Sequence, residues 1–280
     1  MTTDVLMITY RRSEAVAKSL PRLLETLGDD ARVWLWHNGD DADTLEVVRS
    51  YVDDARVARF HHSPENQRLR APTAWLWENS TAEYLSKVDD DCLESPGWVA
   101  TLRGALEDVP MLGVVGAWRH YPDEFLPEAA GRKMVDLPGG HRLLQNHWVQ
   151  GSGYLIRRAD VLANGPLPPD GSFTTWCLRL ARAGRVNGWY HPFVFEDHMD
   201  DPRSAHALIR TDEDLRRHMP LSAARNGVTT LAEWDARNRR AARMLQEASL
   251  DLREYEGIRR LRTRLRRRAG DLIRGRRSSW

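Results

Sequence analysis

The sequence predicts an α/β fold, a mostly parallel sheet flanked by helices, with a helical extension at its C-terminal end. Three observations carry this reading. Short apolar runs of strand length alternate with helical patterns from residue 4 to about 200. The connections between them are short, as in helix-covered parallel sheets. From Ser204 onward strand-like runs give way to polar helical patterns, so we divide the chain into 1–203 and 204–280.

Taken in order, Val5 to Thr9 is a continuous apolar strand, and Ala15, Leu20, Leu23, Leu24 and Leu27 mark a helix that Gly28 stops. Val33 to Trp36 is a second strand that ends in the turn residues His37-Asn38-Gly39-Asp40. A helix over Ala42 to Val52, a strand over Val57 to His61 and a helix over Ala71 to Glu83 follow. Tyr84 to Val88 is a strand that runs straight into Asp89-Asp90-Asp91. Beyond Pro96 come a helix to Asp108 and a strand from Leu112 to Ala117. Residues 119–148, rich in Pro, Gly and His, read as loops shaping an acceptor pocket. Trp148 to Ile156 reads as a strand kinked at Gly151 and Gly153, where a missing side chain lets a ligand or backbone come close. Thr174 to Ala183 is a helix capped by Ser172 or Thr174. Tyr190 to Phe195 is a further strand, ending in the acidic run Glu196 to Asp201. Helices are expected over Leu231 to Asp251 and from Leu252 onward.

Composition narrows the function classes. The net charge of +1 conceals a skew, since only three of the 41 basic residues are lysines, at 18, 87 and 133. Ten arginines fall within 259–277, which reads as a solvated helical appendage, with contact to an anionic membrane or a homodimer as minority readings. No aromatic residue interleaves them before Trp280, which argues against nucleic-acid binding. Cys92 and Cys177 are too few for a disulfide framework, and the apolar run at residues 5–8 is too short for a leader or a membrane span. The expectation is a soluble, cytoplasmic protein.

Three adjacent carboxylates repel unless a cation or hydrogen bonds take up their charge. Read alone, Asp89-Asp90-Asp91 suits a solvated acidic turn. In helix-covered parallel sheets, however, ligands bind beyond the carboxyl ends of the strands. Tyr10-Arg11, Asn38-Gly39 and the triad all stand at such ends, which favours an oxygen-ligated divalent ion such as Mg²⁺ or Mn²⁺.

In collinear order these segments resemble family 2 glycosyltransferases, inverting enzymes of the GT-A fold. Ile8 to Glu14 is similar to the family's opening strand and nucleotide-binding turn, and His37 to Asp40 to its second turn. Asn66-Gln67-Arg68 is similar to the loop before the DXD motif, and Asp89-Asp90-Asp91 to the DXD itself. Gly151 to Arg158 resembles the acceptor-side glycine segment, and Pro192 with His198 the terminal Pro-x5-His. The resemblance spans residues 4 to 200. It implies a metal-dependent enzyme that uses a UDP-hexose or UDP-N-acetylhexosamine and a small-molecule or cell-envelope acceptor. On it, Asp91 and His198 would hold Mn²⁺ or Mg²⁺, and Asp89 and Asp90 would face the ribose and sugar. Thr9, Tyr10, Arg11 and Asn38 would contact the nucleotide, Arg68 the diphosphate, and Gly151 and Ser152 the acceptor side. The chain departs from the family at the catalytic base: the Glu-Asp pair falls on Ser172 and Phe173. Asp170, within a Pro-Asp-Gly turn, and Glu196 or Asp197, beside His198, are the candidates. That departure also leaves open a catalytically inactive sugar-nucleotide-binding module. A nucleotidyltransferase would need a Gly- and Lys-rich phosphate loop, which Thr9 to Arg12 is not.

Overall fold

The computed structural model describes residues 2–168 and 171–256. Its centre is a nine-stranded sheet in the order β3-β2-β1-β4-β9-β6-β10-β8-β7. The first four strands in the chain are β1 (Thr3–Thr9), β2 (Ala31–Asn38), β3 (Val57–Ser63) and β4 (Tyr84–Asp89), all parallel. β1 is buried along its whole length, as a central parallel strand covered on both faces must be. One face, with Val5, Met7, Val33 and Leu35, packs on α1 (Ser13–Thr26) and α4 (Trp98–Asp108). The other, with Leu6, Ile8, Trp34 and Trp36, packs on α3 (Arg70–Asn79) and α7 (Phe173–Arg182). The helix α2 (Ala42–Arg49) is capped by Asp41, whose carboxylate accepts from the Thr44 backbone N–H.

The second half of the sheet is mixed rather than mostly parallel. β6 (Leu112–Gly116) and β10 (Val186–Tyr190) are parallel, but β9 (Tyr154–Arg157) runs antiparallel to both β4 and β6. Residues 119–148, expected as loops, contain α5 (Pro127–Gly131) and the antiparallel pair β7 (Met134–Asp136) and β8 (Arg142–Asn146), which extend the sheet beside β10. Their strands are too short, and too interrupted by Gly and Pro, to show a period. The expected strand 148–156 shrinks to β9, because Gly153 sits at φ +60 and bends the chain before Tyr154. A short helix, α6 (Arg158–Asn164), follows it. The expected strand 190–195 is also displaced: β10 ends at Tyr190, a turn carrying Pro192 follows, and β11 (Glu196–His198) begins after it. β11 pairs antiparallel with β5 (Cys92–Glu94), with His198 opposite Cys92.

The C-terminal helices α8 (Asp212–Arg217), α9 (Leu221–Arg225) and α10 (Leu231–Gln246) enclose a small core of Ile209, Leu215, Ala223, Val228 and Trp234. They also dock on the sheet domain. Gln246 accepts from the Leu126 N–H at 2.7 Å and donates to the Glu124 carbonyl at 2.9 Å, while Lys133 reaches the Leu245 carbonyl at 2.9 Å. The helix expected to reach Asp251 ends at Gln246, and a single 3₁₀ turn covers Leu252–Tyr255. The Arg-rich segment, with its proposed membrane or dimer contacts, lies outside the described residues. Among the described residues no helix is long and apolar enough to cross a membrane, and Cys92 and Cys177 are buried free thiols.

Candidate active site

Parallel register brings the strand ends together: Ile8 lies opposite Asp89, Thr9 opposite His37, and Asn38 opposite Ser63. The triad is then pinned residue by residue. The Asp89 N–H donates to Ser152 Oγ at 2.9 Å, and Asp90 accepts from the Tyr10 N–H at 3.1 Å through its carboxylate and from Ser19 Oγ at 2.8 Å through its carbonyl. The Asp91 carbonyl accepts from the Met199 N–H at 2.8 Å, which ties it to the end of β11.

Arg12 organises the charge. Its guanidinium forks onto both carboxylate oxygens of Asp200 and donates to Asp91 Oδ2 at 2.8 Å. His198 Nε2 approaches the same Asp91 oxygen at 3.6 Å. Burial alone would raise the Asp91 pKa, but His198 and Arg12 outweigh it and hold the carboxyl well below its usual range. Burial and the neighbouring Asp91 push Asp200 up. Burial raises Asp90 to about 8, with Arg12 opposing and the adjacent carboxylates reinforcing. Burial lowers the His198 pKa, yet Asp91 more than compensates and leaves it raised.

Asp91, Cys92 and His198 each offer a ligand atom within 4.8 Å of the others. The Cys92 thiol is pushed well up by burial and by Glu196, so it stays protonated and is a poor ligand. What remains, one carboxylate and one imidazole on the wall of an open space, is a donor set that suits Mn²⁺ or Mg²⁺.

The triad opens onto a cleft of about 1650 Å³. Tyr10, Arg11, Asn38, Arg68, Asp89, Asp90, Asp91, Gly151 and His198 line it. Arg68 adopts φ +59 and its side chain borders the cleft, while Tyr10 lies over Gly39, where an added Cβ would sit 3.1 Å from the ring at φ +92. Of the expected contacts, Thr9 and Ser152 support the site from behind. Thr9 is fully buried and hydrogen-bonded to His37 Nδ1 at 2.9 Å. Asn38, on the cleft wall, uses its amide on Trp36 Nε1, the Gln67 N–H and the Arg68 carbonyl, each at 3.0 Å, and so positions Arg68. Ser152 is buried beneath Asp89. Asp197 does not line the cleft: its oxygens accept from Tyr121 OH at 3.2 Å and Ser204 Oγ at 2.9 Å. Asp170 lies outside the described residues, but Gly171, Ser172 and Phe173 line the cleft.

Sequence reading missed Arg12 and Asp200 as a unit, although both stand in segments it singled out. It also missed Glu94, and it considered Glu196 only as an alternative base beside Asp197. Glu94 and Glu196 lie opposite each other in the β5–β11 pair, are 1% and 0% exposed, and among the described residues their oxygens meet no N–H or O–H donor, only the Cys92 thiol beside Glu196. Burial and Glu196 push Glu94 well above the usual range, so the fold favours its protonated form. Gly153 passes directly over them: a Cβ there would meet Glu196 Oε2 at 2.2 Å and Glu94 Oε1 at 2.9 Å. The glycine thus makes room for this pair rather than for an acceptor.

The mixed α/β sheet, taken with the family match, is that of a glycosyltransferase of the GT-A type. The chain belongs to glycosyl transferase family 2, whose family model matches residues 4–164, more than half of its length. Among solved structures it resembles the mannosyltransferase PcManGT from Pyrobaculum calidifontis, in complex with GDP-Man and Mn²⁺, at 16% identity and a TM-score of 0.58. That match covers 95% of this chain and 80% of the other. S. aureus TarS 1-349 with UDP-GlcNAc matches at 12% identity and a TM-score of 0.52, covering 68% of this chain and 55% of that one. GalNAc-T7 with UDP, GalNAc and Mn²⁺ matches at 11% identity and 0.54, covering 71% and 44%. The chain thus spans about half the length of these last two. At such identities the likeness shows the fold.

Proposed function

We propose that this protein transfers a sugar, with inversion, from a nucleotide-diphosphate sugar to a hydroxyl acceptor. The observation that carries this is the Asp91–His198 pair, 3.6 Å apart on the cleft wall and backed by Arg12 and Asp200. Asp91 and His198 would hold Mn²⁺ or Mg²⁺, which supplies positive charge to the departing diphosphate. Arg68 adds a guanidinium on the same wall, Tyr10 offers a ring face to the base, and Asp89 and Asp90 border the ribose and sugar. The acceptor oxygen attacks the anomeric carbon as its bond to the phosphate oxygen breaks; the nucleotide leaves with the electron pair, and a carboxylate takes the acceptor's proton. We assign that base to Asp170, because the residues after it line the cleft whereas Asp197 is hydrogen-bonded elsewhere.

UDP-hexoses and UDP-N-acetylhexosamines are the first donors to test. The PcManGT complex with GDP-Man makes GDP-sugars the second set. Nucleoside diphosphate release is measured with Mn²⁺ across both, and the product's anomeric configuration by NMR. Asp91→Ala should abolish release, and Asp170→Asn should suppress transfer more than donor binding. Donor binding without transfer or hydrolysis, left unchanged by Asp91→Ala, would refute the metal assignment and favour an inactive sugar-nucleotide-binding module.

A further inference from the structure

The C-terminal helices supply a second wall of the same cleft, and its chemistry differs from the triad's. Trp234, 2% exposed, donates from Nε1 to the Asp200 carbonyl at 2.6 Å, so α10 is fastened to the residue that grips Arg12. One turn on, Arg237 and Asn238 line the cleft, followed by Ala241 and Met244 on the same helical face. At about 1.5 Å rise per residue, Arg237 starts only ~4.5 Å along the axis from that fastening point.

The arginines of α10 divide by face. Arg239 is paired with Asp235 and Asp123, each at 3.0 Å, and Arg243 reaches Glu247 at 3.9 Å. None of these five residues lines the cleft. Arg237, half-buried in the wall, has no carboxylate or hydrogen-bond partner among the described residues, and Arg240 borders the cleft beside it. Burial and Arg240 together lower the Arg237 pKa, the signature of like charges held close in a partly dry place. The amide nitrogen of Asn238 is buried without an acceptor. Arg225 lines the cleft from α9, also without a partner among the described residues. A guanidinium held as Arg237 is gains most from an oxyanion, which takes bidentate hydrogen bonds and relieves its repulsion with Arg240. The donor diphosphate is provided for separately, by Arg68 and the Asp91–His198 pair.

We propose that the acceptor carries an anionic oxyacid group, a phosphate ester or a carboxylate, that docks on Arg237, Asn238 and Arg240 while a hydroxyl of the same molecule is glycosylated. This deepens the proposed function and rests on it. The test titrates the full chain with inorganic phosphate, and in a parallel arm with malonate, by calorimetry in the presence of Mg²⁺ and saturating UDP. One anion should bind per chain, and whichever binds more tightly names the oxyacid. Arg237→Gln/Arg240→Gln should weaken it at least tenfold, and Arg225→Gln by a smaller factor. Arg237→Lys/Arg240→Lys should keep part of the affinity, which separates lost charge from lost folding. If neither anion binds the UDP-loaded wild type, or if the Gln variants bind as tightly, the inference is wrong. If UDP itself does not bind, it is the proposed function that fails.

Discussion

Removing Arg12 should cost more than removing any other single charge near the cleft. Arg12→Gln keeps much of the side chain's bulk but deletes the fork that serves Asp91 and Asp200. The side chains involved are 22% exposed for Arg12, 13% for Asp91 and 4% for Asp200, so solvent replaces little of what is lost. Breaking a buried pair by deleting one partner costs about 3–5 kcal/mol, because the other charge is left uncompensated. For a chain of this size that corresponds to a fall in Tm of roughly 6–20 °C. The deficit should depend on pH in a definite direction. Without the guanidinium, one of the two carboxylates titrates above its unfolded value. Its folded form then binds the extra proton, so the variant loses stability as pH rises and recovers it as pH falls. Urea unfolding at pH 5 and pH 8, with and without Mn²⁺, measures this. The expected result is a larger deficit at pH 8, reduced by added Mn²⁺, which supplies the missing positive charge. A deficit under ~1 kcal/mol, or one equal at both pH values, would mean that the cluster is solvated and that Arg12 does not organise it.

Glu94 titrates in the fold above its unfolded value, so it costs stability as pH rises, with a slope of up to about 1.4 kcal/mol per pH unit. Glu94→Gln should flatten that slope between pH 5 and 8 and leave the variant more stable than wild type at pH 8; parallel curves would show that the pair is not charged in the way described. Gly153→Ala should lose several kcal/mol, on the order of 3, since its Cβ meets two carboxylates at φ +60, and a variant of wild-type Tm would contradict the close approach. A metal ligand imidazole must be neutral, and His198 is raised by Asp91, so Mn²⁺ has to displace a proton at and below neutral pH. Mn²⁺ affinity, followed by electron paramagnetic resonance, should therefore fall up to tenfold per pH unit below the His198 pKa. In Asp91→Asn the midpoint should move to lower pH, and an affinity independent of pH would exclude His198.

What was legible in the sequence was whatever leaves a local trace. β1, β2 and β4 are continuous apolar runs, and each ends in residues of turn or acidic character, so both the strands and the convergence of their ends could be read. The mixed half could not, because β7, β9 and β11 are three or four residues long and carry no period. Pairings across great separations left no trace either. Arg12 and Asp200 stand 188 positions apart, and nothing in either segment names the other. Direction was the third limit: Asn38 and Ser152 occupy the expected places, but a sequence does not say that their side chains turn inward to Arg68 and Asp89. The cleft's second wall was hidden for a related reason. A polar helix such as α10 shows its charges but not which of them already have partners.

The fastening of Trp234 to Asp200 gives α10 a fixed zero, and a helix with a fixed zero is a ruler. Each residue beyond Trp234 stands ~1.5 Å further along it, so on the proposed reading the span from the anionic docking point to the transferred sugar is written in residue number. Moving the guanidinium by one turn, with Arg237→Ala and Ala241→Arg, would shift that mark by about 6 Å and ask for a longer acceptor. The donor side, built from β1, β2 and β4, would not be touched.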